Sequence, residues 1–360
     1  MVALSVLSDA GATGLEQIHE NSFNPVCQYH PDVIGVLLTL LWIGLLTWLV
    51  AVLWTVWALM RPPRLTPARA MARIGRMSPS DLGLRFFEGE VHPPEKRTRR
   101  SLRLVYWFMP TAVPSENTAV LIHGYADSRI GALAWAPLFI ELGWNVVAVD
   151  LRAHGESGGT FTTAGIRERH DINHLINEIR AQRPQSTRNL ILFGASMGAT
   201  IALAAAAQRD DLAGVILDSP VADFYHGAAT QLSLMGLAGK SILAPGLALV
   251  ELWLGERFSS IAPARLIPAL KCPVLAICPS DDPFLPPQYA RELAAVIARK
   301  AAGDGISHLA HFDAATHLLS MQQNPVRYKE CLNQFCDACK SNSLARRAGG
   351  DAGELSPCDR

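Results

Sequence analysis

Gly194-Ala195-Ser196-Met197-Gly198 sets a serine between small residues at the spacing G-x-S-x-G, after the apolar run NLILF and before the Ala-rich run ATIALAAAAQ. A strand, a tight turn and a helix in that order push the serine hydroxyl out at the strand end, where it can act as a nucleophile. The small residues Gly194 and Gly198 let strand and helix approach without a clash. A serine hydroxyl is a weak nucleophile at neutral pH. The chemistry therefore demands a base within hydrogen-bond reach and a carboxylate to orient that base.

Two later segments carry those residue types in the order acid, then histidine. Ser280-Asp281-Asp282-Pro283-Phe284-Leu285-Pro286 follows the apolar run PVLAI, and Asp313-Ala314-Ala315-Thr316-His317 follows HLAHF. Asp281 and Asp282 are adjacent and cannot both face one histidine. Asp282, followed by x-x-x-Pro, is the expected acid and Asp281 the alternative. His317 lies in a loop and is the expected base, whereas His308 and His311 fall inside a strand and are expected to pack. The oxyanion needs donors, for which the backbone N–H groups of Met197 and Tyr125 are the candidates. Tyr125 follows Gly124, where the missing side chain lets the backbone approach substrate. His123 precedes the acid in sequence and adjoins Gly124, so it is read as a hydrogen-bonded brace of the loop.

Positioning these residues requires strands that all deliver their ends to one rim. β-rich apolar runs occur at 103–108, 118–122, 145–149, 189–193, 213–217, 273–277 and 308–312, with helical patterns at 130–142, 163–182, 197–208, 287–301 and 325–340. Strands alternating with helices imply an α/β domain with a mostly parallel sheet covered on both faces. In such sheets the loops at the carboxyl ends of the strands converge, which would join Ser196 to a histidine 121 positions away. About 55 residues separate Leu217 from Pro273 and read as apolar helices interrupted by Pro245. Lys240, Pro245 and Glu251 argue against a membrane span there, so a helical cap over about 221–268 is expected.

Ahead of this domain, Val33–Met60 is a run of 28 residues without a charge. As a helix it would be about 42 Å long at about 1.5 Å per residue, enough to cross a bilayer with tilt. A cleaved signal peptide fits poorly, because no basic region precedes the run and no small-x-small site follows it. Residues 1–32 contain no Lys or Arg, whereas Arg61, Arg64, Arg69, Arg73, Arg76 and Arg85 follow the run. That asymmetry predicts residues 1–32 outside and a cytoplasmic catalytic domain. The predicted organisation is a transmembrane helix at 33–60, a basic Pro/Arg linker at 61–82, the α/β domain at 83–340 and a disordered tail at 341–360.

Lys plus Arg equals Asp plus Glu at 32 each, so no global field points to nucleic acid. The expected partners are a small acyl substrate and, through the helix, a membrane; the oligomeric state is not read. Seven cysteines lack the dense spacing of a secreted disulfide framework, which suggests a reducing compartment. Cys331, Cys336 and Cys339 have a C-x4-C-x2-C spacing with Cys358 downstream, but they lie in a helical pattern that spreads them, and free or buried thiols are expected instead.

His123-Gly124, the run Asp150-Leu151-Arg152-Ala153-His154-Gly155-Glu156-Ser157-Gly158, the G-x-S-x-G segment, Asp282 with Pro286, and His317 together resemble the successive landmarks of the α/β-hydrolase superfamily over about residues 83–340. Within it the chain is similar to the serine aminopeptidase-like and Bem46-like branch, which includes esterases, monoacylglycerol lipases and peptidases. Cys278-Pro279 departs from the family, which usually has His-Gly there. The resemblance implies a Ser-His-Asp triad and no cofactor, with Arg152 and His154 shaping the rim of the site and Asp218, at the end of the strand before the insertion, as the acid that substitutes in some relatives; no metal ligands are expected. Carboxylic ester hydrolysis is the expected activity, with a peptidase, an acyltransferase or an inactive membrane-tethered binding module as alternatives.

Overall fold

The computed structural model describes residues 31–95, 101–234, 236 and 239–351. Its strands are β1 (Phe87–Val91), β2 (Leu104–Met109), β3 (Asn117–Ile122), β4 (Asn145–Val149), β5 (Asn189–Ala195), β6 (Gly214–Asp218), β7 (Val274–Pro279) and β8 (His308–Phe312). They form one sheet in the order β1-β2-β4-β3-β5-β6-β7-β8. β2 runs antiparallel to both β1 and β4, and the remaining pairs are parallel. The chain thus has the α/β-hydrolase fold, with a mostly parallel sheet covered by helices. Alternation along the strands divides the core in two. Val120, Ile122, Val147 and Val149 enter one cluster, and Ala119, Leu121, Val146 and Ala148 the other.

Seven strands coincide with the expected runs, and β1 is the addition. Its sequence, FEGEV, leaves Phe87, Glu88 and Glu90 exposed at the edge of the sheet. Charge on an edge strand discourages pairing with another chain, and it also erases the apolar signature by which strands are recognised.

Helix α1 (Pro31–Met60) is the one helix among the described residues long and apolar enough to cross a membrane. The chain divides into a unit ending at Ala51 and a second unit from Val52 onward. In the first, every residue from Val33 to Val50 is exposed. In the second, the end of α1 joins an apolar cluster with the cap. Residues 1–30, which cover nearly all of the predicted outer segment, lie outside the described residues.

The stretch predicted as a linker, 61–82, is structured and attached. It contains α2 (Pro67–Ile74), started by the Thr66 hydroxyl and ended by Gly75. Arg64 donates to the carbonyl oxygens of His154, Gly155, Ser157 and Gly159 at 3.3, 2.9, 2.6 and 2.8 Å. A guanidinium offers several donors in one rigid plane, so a single arginine can tie down a whole loop.

Short helices α3 (Arg129–Ala132) and α4 (Ala136–Glu141) lie between β3 and β4, and α5 (Glu168–Gln182) precedes β5. α6 (Met197–Ala206) follows β5 directly. The cap holds α7 (Phe224–Leu234) and α8 (Lys240–Leu254), then α9 (Pro263–Leu266). α10 (Pro287–Asp304), α11 (Ser320–Gln323) and α12 (Pro325–Asp351) complete the chain. α12 runs past Ser341, so the predicted disordered tail is corrected as far as Asp351. Leu344, Ala345, Arg346 and Arg347 are good helix formers, and extending an existing helix avoids the cost of nucleation. Residues 352–360 lie outside the described residues.

Candidate active site

β5 hands over to α6 at Ser196, whose φ of 56° and ψ of −119° put a non-glycine residue in strained territory. Such a conformation costs roughly 1–3 kcal/mol and persists only where the surroundings enforce it. Here a Cβ on Gly194 would stand 2.2 Å from the Gly198 carbonyl oxygen, and one on Gly198 would stand 2.2 Å from the Ile122 carbonyl oxygen. Both glycines of the motif are therefore required by backbone contact. The Ser196 N–H donates to the Asp218 carbonyl at 2.9 Å, fastening the turn to β6.

His317 Nε2 lies 2.7 Å from Ser196 Oγ, and its Nδ1 lies 2.8 Å from Asp282 Oδ2. An ionised carboxylate only accepts, so Nδ1–H donates to Asp282 and Nε2 is left to accept from the serine hydroxyl. The Asp282 side chain is fully buried, and its Oδ1 accepts from the Phe284 N–H at 2.8 Å. The Phe284 ring covers His317, with centroids 4.5 Å apart. Serine, histidine and aspartate, expected from three loops, thus form one hydrogen-bonded row.

The alternatives go elsewhere. Asp281 is exposed, with its N–H bonded to the Ala315 carbonyl. Asp218 is buried, but its carboxylate accepts from Tyr328 Oη at 2.5 Å and Ser219 Oγ at 2.9 Å. Burial raises its pKa against those hydroxyls and the nearby His317, which lower it. His308 and His311 lie on β8; the His308 ring meets the edge of Phe335 on α12, whereas His311 is exposed and does not pack as expected.

Gly124 stands against the serine, since a Cβ there would lie 3.4 Å from both Ser196 Cβ and the Ala195 carbonyl oxygen. His123 holds this loop. Its Nδ1 donates to the Gly124 carbonyl at 2.8 Å, and its Nε2 accepts from the Leu151 N–H at 3.1 Å. Burial, reinforced by His154, pushes its pKa well below the usual histidine value, so it stays neutral in that role. Met197 is the first residue of α6, where a helix leaves its N–H groups without an intrahelical partner. Tyr125 and Met197 line the same cavity as Ser196 and His317. Arg152 grips Asp171 through two bonds of 2.6 and 2.7 Å, a structural ion pair.

Ser196 and His317 open onto a cavity of about 290 Å³ whose wall includes Met60, Val221, Phe224, Ala228 and Phe258. An apolar wall with a few convergent polar groups is the usual form of a small-molecule site. Among the described residues no group of three or more His, Cys, Asp or Glu is arranged to hold a metal. Cys336 and Cys339 lie on α12 and are buried in the core, and burial pushes the Cys336 thiol up to about 12. Cys358 lies outside the described residues.

Two features of the site escaped the sequence. One is the Trp135-Tyr328-Asp218-Ser219 network: Trp135 Nε1 donates to Tyr328 Oη at 2.9 Å, and Ser219 Oγ accepts from the Leu318 N–H at 3.0 Å. The other is the end of α1 in the cavity wall. Neither has a local spacing that announces it; an Asp-Ser pair at the end of β6 was the only hint of the first.

Residues 114–259 match a hydrolase family described as "Serine aminopeptidase, S33". The uncharacterized protein YqkD of Bacillus subtilis is 30% identical over 225 residues, covering 61% of this chain and 71% of YqkD. The uncharacterized protein YfhR of Escherichia coli O157:H7 is 31% identical over 201 residues, covering 53% and 63%. Among solved structures, an esterase of Pyrococcus furiosus aligns with a TM-score of 0.62 at 21% identity, covering 78% of this chain and 98% of the esterase.

Proposed function

Since the chain belongs to the serine aminopeptidase S33 family of α/β-hydrolases, we propose that it is a membrane-anchored serine hydrolase that cleaves carboxylic esters through an acyl-enzyme. The observation that carries this is the unbroken row from Ser196 Oγ through His317 to the buried Asp282, opening onto an apolar cavity.

Ser196 Oγ attacks the ester carbonyl while His317 Nε2 takes its proton. Asp282 keeps the ring in the tautomer that leaves Nε2 free to accept, and it stabilises the imidazolium. The backbone N–H groups of Tyr125 and Met197 receive the oxyanion, a contribution typically worth about 3–4 kcal/mol per donor. His317 returns the proton to the departing alcohol, and water then attacks the acyl-enzyme by the same steps, releasing the acid. No cofactor enters this scheme.

α1 is the membrane span of this reading. The arginines that follow it, against none in residues 1–32, support a cytoplasmic side for the hydrolase body in this reading. Protease protection of the C-terminal body in sealed inverted vesicles would contradict that side.

The family name supports one second reading, a peptidase. An aminopeptidase needs an anion for the substrate's ammonium group, and Asp127 is the one carboxylate among the described lining residues. Burial raises its pKa to about 6, which weakens it as a counter-ion below neutrality.

A panel of nitrophenyl esters, acyl thioesters and aminoacyl anilides separates these readings by kcat/KM. Esters should be the best substrates, and Ser196→Ala should lose roughly a millionfold in turnover. Preference for anilides would select the peptidase, and undiminished turnover by Ser196→Ala would overturn the nucleophile.

A further inference from the structure

The cavity beside Ser196 has a wall that comes from neither the sheet nor the cap. Leu59 and Met60, the last two residues of α1, line it with Phe224 and Ala228 of α7 and with Phe258. Specific contacts hold them there. The Met60 carbonyl accepts from the Thr162 N–H at 2.8 Å, and Tyr125 Oη donates to the Ala58 carbonyl at 3.4 Å. Four residues later Arg64 fastens the chain to the 154–159 loop. Where α8 meets α1, a Cβ on Gly246 would stand 2.5 Å from Val56 Cγ2, so glycine is what permits that approach.

Burial along α1 divides it into two consecutive parts. Val33 to Val50 is exposed on every side; at about 1.5 Å per residue these 18 positions span about 27 Å, close to the ~30 Å of a bilayer's hydrocarbon core. Beyond them Val52, Thr55, Leu59 and Met60 are buried at spacings of three, seven and eight residues, which is one helical face. The bare part fits the membrane, and the remainder is built into the hydrolase body.

We propose that the end of the anchor helix is a specificity-determining wall of the acyl pocket, and that the substrate is a long-chain fatty-acyl ester drawn from the membrane. The proposal rests on the serine hydrolase reading above. Leu59 and Met60 offer a chain of methylenes only apolar contact, and the unbranched thioether of Met60 adapts to chains of different shape. Each methylene buried against such a wall raises affinity by about fourfold.

The test uses the full-length chain in lipid nanodiscs, with active sites counted by a fluorophosphonate and kcat/KM measured for nitrophenyl esters from acetate to dodecanoate. In wild type kcat/KM should climb with chain length. In Met60→Trp and Leu59→Trp, where an indole fills the wall, the dodecanoate-to-acetate ratio should fall at least tenfold. Labelled variants that keep the wild-type ratio overturn the proposal. A second measurement needs no variant: a long-chain alkyl phosphonate with a diazirine at its terminal carbon is bound to wild type and irradiated. Cross-links in the peptide containing Leu59 and Met60 support the wall, and cross-links confined to other peptides overturn it. A wild type that neither labels nor turns over any ester removes the serine hydrolase reading and this proposal with it, whereas labelling with an unaltered chain-length ratio removes the wall alone.

Discussion

Adjacent strands β6 and β7 each deliver a buried aspartate to the rim of the sheet, and the two are put to different uses. Asp282, after β7, accepts from His317 Nδ1 at 2.8 Å. Asp218, the last residue of β6, is taken up by Tyr328 and Ser219 instead. Burial and strand-end position are shared, so neither selects the partner of the base. The donors within reach do. The Asp218 network nevertheless touches the same loop, because Ser219 Oγ, while donating to Asp218, accepts from the N–H of Leu318, the neighbour of His317. Leu318 sits at φ 63°, a conformation that a branched side chain rarely adopts without such a hold. One aspartate orients the imidazole directly, and the other fixes the backbone that carries it.

The sharpest way to break this comparison is to neutralise each carboxylate in turn. Asp282→Asn should lower kcat by about 10⁴-fold, since an amide no longer selects the productive tautomer. Asp281→Asn should stay within about twofold, as expected of an exposed side chain that accepts only from the neighbouring Ser280 hydroxyl at 3.3 Å among the described contacts, a bond that an amide oxygen can also accept. Asp218→Asn should fall between them, at roughly 10- to 100-fold in kcat, a 1.4–2.7 kcal/mol loss consistent with a displaced positioning contact. Equal losses in Asp218→Asn and Asp282→Asn would erase the distinction.

A smaller effect is expected at Tyr328, which relays between Trp135 and Asp218. Tyr328→Phe leaves a buried indole N–H and a carboxylate oxygen short of a partner, costing about 1–3 kcal/mol of stability by denaturant titration. Activity should change by less than tenfold. An unchanged stability would mean that the network is slack.

The smallest effect is a pH dependence. Burial raises the Asp218 pKa above its ordinary 3.8, so the folded state holds that proton more tightly than the unfolded chain does. The stability this contributes is fully present below pH 3.8 and is lost as pH rises through the folded value, at up to about 1.4 kcal/mol per pH unit. Asp218→Asn removes that slope, so the stability difference between variant and wild type should shift in the variant's favour as pH rises across this window. A difference constant with pH would contradict it.

The two aspartates also mark how far the sequence could be read. Ser196 was legible because its requirement is local: two glycines at fixed offsets between a strand and a helix. Asp282 and His317 were legible in order and loop position, which the parallel topology turns into proximity. Asp218 stood out only as a spare acid, because its partners Tyr328 and Trp135 lie 110 and 83 positions away and share no periodicity with it. The same holds for Arg64, whose four carbonyl partners are about 90 residues downstream. Polar backbone acceptors leave no mark in a sequence, so an attached segment read as a linker. β1 was missed because its glutamates hide the strand.

The account stands on Ser196 being the nucleophile, and the most direct test is where a fluorophosphonate attaches. The full-length protein is treated with the probe, digested, and the adduct located by mass spectrometry. A single adduct on Ser196, abolished in Ser196→Ala, is the predicted result. An adduct on a different residue, or none on folded protein, would contradict the claim.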